Sequence, residues 1–79
     1  MNPDTIRDLI ETGLPGARAV VRGDDGVHFE AEVLCAAFAG KSIIARHRMV
    51  YATLGALMGR EIHALAITSA RTPDEAAAG

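Results

Sequence analysis

Ala17-Arg-Ala-Val-Val-Arg22, Gly23-Asp-Asp-Gly26 and Val27-His-Phe-Glu-Ala-Glu-Val-Leu34 follow one another without a break, and this stretch decides the fold. In the third piece Val27, Phe29, Ala31 and Val33 alternate with His28, Glu30, Glu32 and Leu34. A period of two predicts a strand over 27–34 with one apolar face and one mostly polar face. Residues 17–22 carry β-branched residues between arginines and predict a shorter strand. The Gly-Asp-Asp-Gly tetrapeptide is a turn signal, so the two strands are expected to form an antiparallel hairpin.

Upstream the period changes. Ile6, Leu9, Ile10 and Leu14 recur at helical spacing. Asn2 is a suitable N-cap, Pro3 fits the first helical position, and Asp4 complements the positive helix start. Gly13, Pro15 and Gly16 end the helix. Gly13-Leu14-Pro15-Gly16 has the GxxG form of an RNA-clamping loop, but it joins a helix to a strand and contains proline, so it reads as a helix stop.

Downstream, Cys35 to Lys41 leaves the hairpin and Ser42 can cap a second helix running to about Met58. Its expected apolar stripe is Ile43, His47, Val50, Tyr51, Leu54, Leu57 and Met58. Gly59 is a natural stop, with Arg60 beyond it. Residues 62–69 predict a third strand. Thr72-Pro-Asp-Glu75 has the form of a capping box, but with only Ala76 to Gly79 following, a frayed turn is expected there.

The order helix, strand, strand, helix, strand predicts an α+β chain. It should form a single small domain over residues 1–79, with an ordered core at about 3–70 and a short C-terminal tail. A hairpin, a crossover helix and a third strand give a three-stranded mixed sheet, with both helices on one face and the other face wet. Which strand is central is not fixed by the pattern.

Composition narrows the function. The chain has 79 residues, is 49% hydrophobic and carries a net charge of −2. A protein that binds nucleic acid electrostatically needs a basic surplus, which here is only local. With no Trp, one Tyr and two Phe, a base-stacking platform is hard to build. The longest uncharged apolar run, Leu34 to Gly40, is far short of a membrane span. Met1-Asn-Pro-Asp4 lacks the pattern of a signal peptide, so a cytoplasmic location is expected. The single Cys35 forms no internal disulfide and reads as a buried small hydrophobe. No nucleophile motif or phosphate-cradling loop occurs, so the chain is not expected to be an enzyme. Glu30 and Glu32 share a strand face and read as solvated charges.

Four stretches match a known family in order and spacing: Gly26-Val-His-Phe29; Phe38-Ala-Gly-Lys-Ser42 leading through Arg46-His-Arg-Met-Val-Tyr51 to Leu54; Ile62-His-Ala-Leu65; and Thr72-Pro-Asp-Glu75. Over about residues 3–75 the chain resembles the BolA family, most closely its short YrbA-like branch. The resemblance implies an α-β-β-α-β core like a type II KH domain and a non-enzymatic adaptor role. It also implies a monothiol glutaredoxin as partner, sharing a 2Fe–2S cluster, in cluster trafficking or iron-linked regulation. The alternative is a small DNA- or RNA-binding transcriptional regulator, the name older members carry.

The same resemblance supplies candidate residues. His63 by itself reads as a strand-edge histidine bonded to backbone; the family's H-A-L motif makes it a cluster ligand. His28 reads as a solvated hairpin histidine; the family places a His or Cys ligand in this loop, which is longer in other members. Two histidines do not complete a metal site. The remaining ligands would come from a glutaredoxin cysteine and glutathione, and no cofactor is expected on the isolated chain. Lys41, Arg46 and Arg48 form the most basic stretch, with Arg46 and Arg48 expected on a solvated helix face. They are the candidate nucleic-acid contacts for the alternative reading, in which DNA is the partner, or else candidate contacts to an acidic or glutathione-bearing partner. Alone, the chain is expected to be a monomer or weak homodimer, with no membrane partner.

Overall fold

A computed structural model describes all 79 residues, Met1–Gly79. The elements are α1 (Pro3–Gly13), β1 (Arg18–Arg22), β2 (His28–Leu34), α2 (Ile43–Leu54), β3 (Ala64–Arg71) and α3 (Pro73–Ala78). Short 3₁₀ turns lie at Ala36–Phe38 and Gly55–Leu57. The small three-stranded mixed sheet expected from the sequence is present. Its order is β1-β2-β3, so β2 is the central strand, antiparallel to β1 and parallel to β3.

The hairpin pairs Arg18 with Leu34 through Arg22 with Glu30. This register turns Phe29, Ala31 and Val33 inward onto Ile6 and Ile10 of α1 and Val50 and Leu54 of α2, all buried in one core. The opposite face is wet. His28 and Glu30 are exposed, Val20 is 50% exposed, and Arg22 Nη1 meets Glu32 Oε2 at 2.7 Å across the strands. Cys35 is buried in the core, as expected of a small hydrophobe.

Caps set the helix starts. The Asn2 side chain accepts from the Thr5 N–H, and Ser42 Oγ from the Ala45 N–H. α2 is shorter than the sequence suggests. It ends at Leu54, because Gly55 leaves the helix with φ +54° and the chain tightens into a 3₁₀ turn. Its inward ladder also differs from the expected stripe. Arg46, Val50 and Leu54 face the core, whereas Ile43 is 60% exposed and His47 half-buried.

β3 begins two residues later than expected and runs to Arg71. Ile62 is instead fully buried in a closed turn, its N–H donating to the Leu57 carbonyl and its own carbonyl accepting from the Gly59 N–H. Against β2 the register steps from Ala31–Ile67 to Glu32–Ser69. Thr68 is therefore the extra residue of a bulge, and its Oγ1 donates to the Ala31 carbonyl at 3.3 Å. The bulge resets the alternation, so Ala70 turns inward where the plain period of two fails.

The C-terminal segment also departs from expectation. Pro73–Ala78 is a helix with a complete capping box: Thr72 accepts from the Glu75 N–H, and the Glu75 carboxylate accepts from the Thr72 N–H. So short a helix is unstable alone. Here Glu75 also engages Arg46, which ties α3 to α2. No helix is long and apolar enough to cross a membrane.

Candidate metal-ligand site

β2 and β3 run parallel, so their starting ends lie side by side. His28 is the first residue of β2 and its register partner is Ala64, the first of β3. His63 immediately precedes Ala64. Its backbone N–H donates to the Val27 carbonyl at 3.0 Å, and Ala64 donates to the same oxygen at 3.2 Å. With Ile62 anchored in the core, these bonds fix the backbone that carries the His63 ring. The two imidazoles, 35 residues apart in sequence, thereby come to 6.4 Å between ring centroids, with planes inclined at 65°. Both side chains are exposed.

The loop holds His28 through Asp25. Asp25 Oδ1 accepts the backbone N–H groups of Val27 (3.0 Å) and His28 (2.8 Å), and Oδ2 meets His28 Nδ1 at 2.6 Å. Asp is suited to such turns because its short side chain reaches its own backbone two residues on. The bond to the His28 ring first, and then the two backbone donors, hold the Asp25 carboxyl well below the usual carboxylate range. Gly26 adopts φ +80°, a left-handed conformation open to glycine. Gly23 is needed for close approach: a Cβ there would sit 2.6 Å from the His28 carbonyl oxygen.

Beside the pair, Arg22, Gly23, Asp24, Glu30, Ala64 and Ala66 surround an open depression on the wet sheet face. The small side chains of Ala64 and Ala66 leave room there. No group of three or more His, Cys, Asp or Glu side chains gathers anywhere in the chain to hold a metal ion. The arrangement thus sets two outward-facing imidazoles side by side, too few by themselves to complete a metal site.

The candidate basic stretch is not uniformly solvated. Lys41 and Arg48 are exposed, but Arg46, expected on a solvated face, is only 7% exposed. Its Nη1 and Nη2 donate to Glu75 Oε1 and Oε2 at 2.6 and 3.0 Å, Nη1 also to the Ala70 carbonyl, and Nε to the Lys41 carbonyl. The guanidinium lies 5.8 Å from the Phe38 ring centroid. The fork-to-fork pairing and the Thr72 N–H hold Glu75 down at about 2 and raise Arg46 further. Arg46 is therefore committed to the fold and is not free to meet a phosphate. Sequence reasoning missed two partners, Asp25 and Glu75. Asp25 had a legible signal in its place before Gly26 in the turn; nothing in the sequence links Glu75 to Arg46.

Fold and site together define a small α+β domain with two exposed imidazoles side by side at one end of its sheet. A family model described as BolA-like protein matches residues 14–75, and the chain belongs to that family. Among solved structures, it is similar to a bolA protein homologue from Coxiella burnetii, at 45% identity and TM-score 0.87, over 98% of this chain and 97% of that one. It is also similar to the BolA domain of SufE1 from Arabidopsis thaliana, at 32% identity and TM-score 0.77, over 92% and 93% of the two chains. Protein BOLA2 of Arabidopsis thaliana is 47% identical over 55 residues, 70% of this chain and 58% of that protein. The chain spans about half the length, or less, of the first curated relatives it matches.

Proposed function

We propose that this chain is a non-enzymatic adaptor that binds a monothiol glutaredoxin and shares a 2Fe–2S cluster with it. His63 and His28 serve as its ligands, and the partner's cysteine and glutathione supply the rest. The observation that carries the reading is the pair of exposed imidazoles 6.4 Å apart at the starts of two neighbouring strands, one with Nδ1 already engaged. The donor set suits the group, since imidazole replaces thiolate on one iron of such clusters and raises the potential. Exposure at one end of the sheet suits ligands that must meet a second protein. The protein's own contribution is to hold two nitrogens in place, and the role so described is cluster trafficking or iron-linked regulation in the cytoplasm.

The family supports the adaptor role, and the occurrence of a BolA domain within SufE1 of Arabidopsis thaliana shows this fold joined to another unit in one polypeptide. The test is anaerobic mixing or co-purification with a monothiol glutaredoxin and glutathione. A heterodimer with a visible spectrum distinct from the glutaredoxin homodimer is expected. A mixture whose spectrum is that of the glutaredoxin alone, with no heterodimer, contradicts the proposal.

A further inference from the structure

Asp25 takes no part in the ligand set above, yet it is the most heavily engaged side chain of the hairpin loop. Both of its oxygens are used, Oδ1 by two backbone N–H groups and Oδ2 by the His28 ring. Each bond has a separate consequence. The two backbone bonds fix the carboxylate relative to the start of β2. The third fixes which ring nitrogen faces the loop. A carboxylate can only accept, so the nitrogen facing it must carry the proton. Neutral His28 is thereby the Nδ1–H tautomer, and its lone pair lies on Nε2, the nitrogen away from Asp25. An unconstrained surface imidazole would exchange tautomers and rotate.

We infer that Asp25 is a positioning residue: it locks His28 in the Nδ1–H tautomer, so that Nε2 is the donor atom presented beside His63. The inference rests on the cluster-sharing reading only for what Nε2 meets; the tautomer itself belongs to the isolated chain. A histidine ligand held through its other nitrogen by a carboxylate is a recurrent arrangement, because the outer bond orients the ring and makes the ligating nitrogen more basic. It also offsets a weakness of a ligand on an exposed hairpin, since the ring need not be ordered when the partner arrives.

The test is Asp25→Asn. The asparagine oxygen should keep the Oδ1 place, because two backbone donors point there against one ring nitrogen. Its NH₂ group then faces Nδ1 and can only donate, so Nδ1 must accept and the proton moves to Nε2. Long-range ¹H–¹⁵N NMR of the isolated protein at alkaline pH reads the tautomer directly. Nδ1–H in the wild type and Nε2–H in Asp25→Asn are expected, with the Val27 and His28 amide signals retained. Nε2–H in the wild type, or one tautomer in both proteins, would overturn the inference whatever the cluster does. In the mixed complex with glutaredoxin and glutathione, Asp25→Asn should weaken cluster binding by about 10- to 100-fold, the usual cost of removing such an outer bond, and shorten the cluster lifetime with it. A switched tautomer with an unchanged lifetime would overturn the claim that the lock serves the cluster. Failure of the functional reading is read separately, as no chromophore with the wild type.

Discussion

Val50→Ala and Ile43→Ala form a matched pair, because both residues fall on the apolar stripe read from the sequence and only one of them faces the core. Val50 is fully buried against the α1–sheet core, and Ile43 is 60% exposed at the start of α2. Removing two buried methyl groups costs about 1.6 kcal/mol in transfer free energy. The cavity left in a close-packed site raises that to roughly 2–3 kcal/mol. A chain of this length is expected to have a total stability of roughly 4–12 kcal/mol, so the loss is a large share of it. At about 4–8 °C per kcal/mol for a domain of this size, Val50→Ala should melt roughly 10–20 °C lower. Ile43→Ala should change stability by about 0.5 kcal/mol or less, since exposed substitutions rarely do more. Urea denaturation followed by circular dichroism reads both, with an unchanged m-value as the sign that the unfolded state is not altered. Equal losses in the two variants would mean that α2 docks along the stripe containing Ile43, and the packing described above would be wrong.

Ser42→Ala should cost about 1 kcal/mol in the same denaturation assay, since it removes the side-chain bond to the Ala45 N–H. Glu75, lowered from 4.5 to about 2 by its bonds to Arg46 and Thr72, stabilises the fold fully above its ordinary value, and that contribution fades as pH falls from about 4.5 toward 2. The melting-temperature gap between wild type and Glu75→Gln should therefore be constant near neutrality and close on acidification; a gap independent of pH would refute the pairing. Arg46→Ala should destabilise the chain, whereas Arg48→Ala should change stability by about 0.5 kcal/mol or less, so differential scanning fluorimetry of the two separates the buried guanidinium from the solvated one. If the chain binds DNA directly, Lys41→Ala and Arg48→Ala should each lower the salt slope of binding by about one contact. No slope change in either would leave that basic stretch without a nucleic-acid role.

The strand reading was legible because β2 keeps an unbroken alternation from Phe29 to Val33, and only one registry of it buries the apolar set. β3 was harder. Its alternation is interrupted at Thr68, and a bulge is not visible in a pattern that only counts apolar residues. In α2, Val50 and Leu54 belong equally to a ladder with Ile43 and His47 and to a ladder with Arg46. Hydrophobicity favours the first, and the structure adopts the second because Glu75, from the far end of the chain, neutralises Arg46 inside the fold. The same long-range pair explains why α3 is a helix where local propensity predicts fraying. At the site, the sequence places His28 and His63 on strand starts, but their proximity depends on β2 and β3 being parallel neighbours, which the hairpin pattern does not determine. Asp25 was visible as a turn former; its bond to the His28 ring needed the conformation of the loop.

The most direct test of the adaptor account is the lifetime and visible spectrum of the mixed complex formed with a monothiol glutaredoxin and glutathione. It should be measured for wild type and His63→Ala at equal fold content. His63 is exposed, and its backbone bond to Val27 does not involve the ring, so the variant should remain folded. The account predicts that wild type gives a spectrum distinct from the glutaredoxin homodimer, and that His63→Ala abolishes the difference or makes the cluster labile. His28→Ala should also shorten the cluster lifetime, by at least as much as Asp25→Asn, because it removes the donor that Asp25 orients. Identical spectra and lifetimes for wild type and His63→Ala would contradict the account and leave His63 a structural residue.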